Sequence, residues 1–170
     1  MNAKTRLTAC VLCLIILGGI LYHVQAGVEP SPFKNLENKV GAIVNKMNNL
    51  QHRLDNIYPK LLEQHYYKGI VNQLQSIEKG IDYSFEELIT LNDDIDAYWE
   101  ALELGETIKE GSSIFIDLRE GQTLAVGYSA TARILYGYCS EMAPELLPPL
   151  ESIQISSSSL IQLITTLLDE

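Results

Sequence analysis

The residues that usually carry chemistry are scarce in this sequence. Cysteine occurs three times in 170 residues. Cys10 and Cys13 fall in an apolar leader, so only Cys139 belongs to the body of the chain. A domain exported with one cysteine has no internal disulfide, and its core alone must hold it together. Beyond the leader the histidines are His52 and His65, thirteen positions apart, with neither the HExxH spacing nor a cysteine pair to complete a zinc site. Serine clusters at Ser156 to Ser159 without the Gly-x-Ser-x-Gly elbow that exposes a nucleophile, and the run reads as a polar helix face. Asn-x-Ser/Thr does not occur, so N-glycosylation is not expected. These absences predict a protein that is not an enzyme and needs neither cofactor nor metal.

Positive charge is also short. Twelve Lys/Arg stand against twenty-two Asp/Glu, a net charge of −10. Residues 80–170 hold only Lys109, Arg119 and Arg133 as cations, and their balance is strongly negative, whereas residues 27–79 are slightly basic. An acidic surface repels phosphate backbones, which excludes nucleic acid as a partner. Asn92-Asp93-Asp94-Ile95-Asp96 has alternating oxygens, but a calcium loop needs Gly at its sixth position and this run has Ala97. It reads as a solvated helix face. Glu86 and Glu87 suit the first turn of a helix, whose dipole favours them.

The amino terminus has the form of a targeting segment. Lys4 and Arg6 precede a mostly apolar run from Leu7 to Tyr22, and Val24-Gln25-Ala26 supplies small residues for cleavage. Residues 1–26 are therefore expected to be a signal peptide and 27–170 a single domain, secreted to the extracellular space. The run is short of the roughly 20 residues needed to cross a bilayer. Membrane association would therefore arise only from an uncleaved signal anchor.

What the chain has in abundance is one rhythm. From Phe33, apolar residues recur at Leu36, Val40, Ile43, Met47, Leu50, Leu54, Ile57 and Leu61, alternating steps of three and four. That is the seam of an amphipathic helix. Ser31-Pro32 suits its start, and Pro59 is expected to kink or break it near Tyr58. Ile70, Leu74, Ile77 and Ile81 form a second series, with Gly80 as a candidate stop and Ser84-Phe85-Glu86-Glu87 as a capping box. Leu88, Leu91, Ile95, Tyr98 and Leu102 continue it, and the heptad passes across Ser84 without a break. Ile114, Leu118, Gly121, Ala125, Tyr128, Ala132, Leu135, Cys139 and Met142 predict a helix over about 113–143, capped by Ser112 or Ser113 and thin along its seam. Pro144 and Pro148-Pro149 mark the last connector. Leu150, Ile153, Leu160, Ile164 and Leu167 follow, with Ser157 interrupting the row. The expectation is an all-α fold, an elongated up-and-down bundle of four to five amphipathic helices.

Two sets of residues are candidates for binding. Tyr66, Tyr67, Tyr83, Trp99, Tyr136 and Tyr138 lie off the main seams, and Tyr and Trp are favoured at interface hot spots. Lys39, Lys46, Arg53 and Lys60 recur every seventh residue beside the first seam and form a basic stripe. If the third apolar series runs antiparallel to the first, this stripe faces Glu87 and Asp94, an internal electrostatic seam; otherwise it is free for an acidic partner. Cys139, on a seam position, is expected to be buried, the alternative being a disulfide-linked homodimer. The leading expectation is a secreted, non-enzymatic protein that binds an extracellular protein, as a signalling ligand or a host-directed effector such as a salivary or parasite product. The alternatives are a carrier of a small apolar ligand beside the thin helix, and a self-associating structural protein.

Overall fold

A computed structural model describes residues 32–63, 67–101 and 108–169. The leader, the segment before Pro32 with the expected Ser31 cap, Tyr66, His65 and the residues from Leu102 to Thr107 lie outside them. The described chain is helical: α1 Pro32–Asp55, α2 Ile57–Leu62, α3 Tyr67–Ala101, α4 Ser113–Met142 and α5 Leu147–Asp169, with a single 3-10 turn at Pro144–Leu146. Four of them pack as an all-α bundle. Around the bundle each long helix has two neighbours: α1 lies against α3 and α4, and α5 against the same two.

Cross-helix contacts set the directions. Arg53 reaches Ser76, Lys46 covers Tyr83, and Phe33 meets Trp99, so α1 and α3 are antiparallel. Gly41 lies beside Asp117 and Met47 beside Tyr128, so α1 and α4 are parallel, and Tyr58 of α2 continues the series beside Tyr138. The short connector from Met142 to Leu147 turns the chain back, and Gly121 near the start of α4 faces Ile164 near the end of α5, with Gln122 donating to Thr165, so α4 and α5 are antiparallel. The fold is two antiparallel hairpins laid side by side. The chain passes from α3 to α4 across the bundle diagonal, so these successive helices are not neighbours.

The periodic residues make the core. Every seam position from Leu36 to Leu61 is buried, as are Ile70, Leu74, Ile77, Ile81, Leu88, Leu91 and Ile95. In α4 the buried series runs from Ile114 to Cys139, and in α5 from Leu150 to Leu167. Burial on this scale, about 25 cal/mol per Å² of apolar area, supplies the main favourable term of folding.

The joints differ from expectation in instructive ways. Pro59 does interrupt the first helix, but three residues upstream. Its missing N–H would have bonded the Asp55 carbonyl, so α1 stops at Asp55 and α2 resumes at Ile57. Asn56 sits between them and donates its side-chain amide to the His52 carbonyl at 2.8 Å. Gly80 and Ser84 do not end a helix; α3 runs through both. Gly80 is there because the core of α1 presses on it: a Cβ at this position would come within 2.7 Å of Leu50 Cδ2. Ser84 is fully buried and donates to the Gly80 carbonyl at 3.0 Å instead of capping. Ser157 likewise lies in the core, not on a polar face, and donates to the Ile153 carbonyl at 2.6 Å. Ser112 does cap α4, accepting from the Phe115 N–H at 3.2 Å. Just before it, Gly111 takes φ +81°, the left-handed conformation that glycine adopts without strain. Pro148 and Pro149 lie inside the first turn of α5 instead of before it, where the absent N–H groups would have had no helical partner.

Candidate interaction surface

The basic stripe does lie along the α1/α3 boundary, yet its partners are rings and a hydroxyl. Lys46 is partly buried, with its ammonium 3.3 Å from the centroid of the Tyr83 ring. Glu87, one turn further along the helix, raises the Tyr83 phenol's pKa, by hydrogen bonding first and by its negative charge second. Cation, ring and carboxylate thus form a short relay, in which the ring takes the place of a direct ion pair. Lys39 lies 5.8 Å from the Tyr98 ring, and Arg53 donates to Ser76 Oγ at 3.2 Å. Among the described residues the one ion pair is Lys34–Glu37, within α1, which lowers the pKa of Glu37. The expected ladder from Arg53 to Glu87 and Asp94 is out of register. Arg53 is level with Ser76, and Glu87 lies eleven residues further on, roughly 16 Å along the helix.

The candidate aromatic residues do not gather in one patch. Trp99 is only 8% exposed and packs against Phe33 with ring centroids 6.0 Å apart, so it belongs to the core. Tyr136 and Tyr138 are half-buried at the opposite end of the bundle, where Tyr138 meets Tyr58 edge-on at 5.4 Å. Tyr83 is exposed at mid-length beneath Lys46. Tyr67 opens α3, and Tyr66 lies outside the described residues.

A feature that periodicity did not reveal is a half-open cleft of about 270 Å³ beside the α1–α2 interruption. Arg53, Asn56, Lys60, Gln73 and Ile77 line it. Two of these are members of the basic stripe, so the stripe divides. Its first half covers aromatic rings, and its second half opens onto a polar hollow. The signal for it was the coincidence of Pro59 with the heptad of cations, since a helix break on that side leaves a gap between them.

Two other expectations meet the structure here. Cys139 is fully buried and free; burial first, and the negative charge of Glu145 second, push its thiol pKa up. A thiol in that state is neither exposed to a second chain nor ionised to attack one. The thin seam of α4 leaves no void at Gly121, because Val44 and Ile164 close to within 3.5 Å of where a Cβ would stand. The acidic run Asn92–Asp96 lies on continuous helix, and among the described residues no group of three or more His, Cys, Asp or Glu is placed to hold a metal ion. No described helix is long and apolar enough to cross a membrane. No protein-family model, no curated protein and no solved structure matches the chain.

Proposed function

We propose that this chain is a secreted, non-enzymatic helical bundle that acts by binding an extracellular protein. The observation that carries the reading is the second half of the basic stripe, Arg53 and Lys60, held at the rim of a cleft on a chain whose net charge is −10. Concentrated positive charge on an otherwise acidic molecule suits an acidic patch on a partner and steers its encounter. Tyr58 and Tyr138 lie at the same end of the bundle as the cleft and add rigid aromatic surface beside it. The leader supports export.

The test is capture from extracellular fluid with immobilised protein, run beside an Arg53→Gln/Lys60→Gln variant at low and high salt. A partner retained by the parent chain, lost with the variant and released by salt supports the reading. Equal capture by both proteins removes the basic half-stripe from the interface.

A further inference from the structure

We propose that the cleft beside the α1–α2 interruption is a binding site for a tetrahedral oxyanion, a phosphate or sulfate monoester carried by a ligand. This deepens the binding reading above by naming the chemistry of the group received. The argument starts from an imbalance of donors and acceptors. Arg53 brings five N–H groups, of which Ser76 takes one. Lys60 brings three, and no partner for it is found among the described residues. The Asn56 amide spends one N–H on the His52 carbonyl and keeps the other, and Gln73 adds a further amide. No carboxylate lines the hollow, whose remaining wall is the apolar side chain of Ile77.

A site so rich in donors calls for a ligand that only accepts. The two cations stand two helical turns apart in sequence and line the same hollow, an arrangement that an anion between them would stabilise. A carboxylate offers two oxygens in one plane. A tetrahedral dianion offers oxygens in several directions and balances both charges, and Arg is suited to bind two of them at once. The hollow, about 270 Å³ and open to solvent, has room for such a head group. The rest of the ligand would remain outside, in solvent or on its carrier.

The first two stripe residues do not share this capacity. Lys46 is committed to the Tyr83 ring and its carboxylate neighbour, and Lys39 has Tyr98 within reach but no converging donors. Selectivity for one half of the stripe is therefore the mark of a built site.

The experiment titrates isotope-labelled protein with sodium phosphate, sodium sulfate and sodium acetate at constant ionic strength, following the side-chain amide resonances of Asn56 and Gln73. The expected result is saturable movement of both with phosphate and sulfate, and binding of acetate weaker by about tenfold. Arg53→Gln abolishes saturation and Lys60→Gln weakens it by about tenfold, the loss of a charge-assisted bond. Lys46→Gln, whose charge lies at Tyr83, leaves it unchanged. Far-ultraviolet circular dichroism confirms that each variant folds. Movement that is linear in salt, spread equally over all the side-chain amides, or insensitive to Arg53→Gln overturns the proposal and marks an adventitious ion only. Because these probes need no protein partner, failure here leaves partner capture standing, and failed capture leaves the oxyanion site standing. A preference between phosphate and sulfate then separates the two ester classes.

Discussion

Helix α1 has a different relation with each of its neighbours. Toward antiparallel α3 it presents large side chains, and the partner yields: Leu50 fills the space that Gly80 leaves open. Toward parallel α4 the partner is the thin member, with Gly121, Ala125 and Ala132 along its buried face. There the buried polar link is Tyr128, whose hydroxyl donates to the Met47 carbonyl. Beside it, Gln51 reaches Thr131 at 3.4 Å and Asp55 at 2.7 Å. The α1/α3 boundary is apolar within and basic-aromatic at its edge, whereas the α1/α4 boundary is close-set and polar at its edge. Close approach of helices thus has two origins here, one glycine under one leucine on the first side and a whole small-residue seam on the second.

The largest effects should come from the first side. Leu50→Ala removes a side chain that is 5% exposed and should cost about 2–5 kcal/mol, cavity included. Gly80→Ala drives a methyl into Leu50, a cost of about 1–3 kcal/mol against a gain in helix propensity of about 1 kcal/mol. In the Leu50→Ala background the same substitution partly fills the space left behind and should stabilise. Urea unfolding of the two single variants and the double variant reads this change of sign. Independent costs that simply add would mean that Gly80 is not shaped by Leu50.

That pair also shows how far the sequence could be read. Alternating steps of three and four located nearly all the buried residues, because only one face of each helix finds partners. The rule failed at the far ends of the longest helices. An α-helix has 3.6 residues per turn, so a 3.5-residue rhythm drifts by about 20° per heptad. By the end of α3 the slip amounts to one position, which buries Trp99 in place of Tyr98. Past α4 it buries Ala143 and leaves Met142 half exposed. Gly80, Ser84 and Ser157 depart from expectation for another reason. Each looks locally like a stop, a cap or a polar face, and only the neighbouring helix decides that a small residue is needed in the core. The cleft was half legible, since the cations and the proline stood in the sequence but the register with Gln73 and Ile77 did not. Register is also what displaced the expected charge ladder, as nothing local fixes which residue of α3 stands opposite Arg53.

On the α4 side a moderate effect is expected from Tyr128→Phe, about 1 kcal/mol for one buried hydrogen bond. Its pH dependence is the sharper readout. Burial raises the folded pKa of Tyr128 well above the ordinary value near 10. The fold therefore favours the neutral phenol. That stabilisation is complete below about pH 10 and is lost as the pH rises above it, because the unfolded chain then ionises more readily. Denaturation at pH 8 and pH 10.5 should show the gap between the parent chain and Tyr128→Phe narrowing with alkalinity. A constant gap would mean that the phenol is not shielded.

A smaller gain is expected on the outer face of α4. Nothing lies within 4 Å of a Cβ built at Gly137, so Gly137→Ala should stabilise by about 0.5–1 kcal/mol through helix propensity. Gly127→Ala, by contrast, must move the Gln51 amide, whose oxygen is 3.1 Å from the new Cβ. Thermal unfolding of the two variants side by side compares free space with the crowded polar edge. Equal gains would show that the Gln51 side chain gives way without cost.

The smallest effect concerns what binds the edge of the α1/α3 boundary. A ladder of carboxylates along α3 would couple Arg53 to Glu87 or Asp94. The observed register instead couples Lys46 to Tyr83, and through the Tyr83 hydroxyl to Glu87. At a partly exposed site a cation over an aromatic ring contributes about 0.5–1 kcal/mol. A double-mutant cycle joining Lys46→Met and Tyr83→Leu should return coupling of that size, while the cycle joining Arg53→Met and Asp94→Ala should return none. Added salt separates the remaining terms: the share arising from Glu87 is screened, and the share arising from the ring persists because it acts at contact distance. Zero coupling for Lys46 with Tyr83 would remove the ring as the cation's partner, and clear coupling for Arg53 with Asp94 would shift α3 along α1 by several turns. Such a shift would also take Gln73 away from Arg53, so this cycle tests the helix register on which the cleft depends.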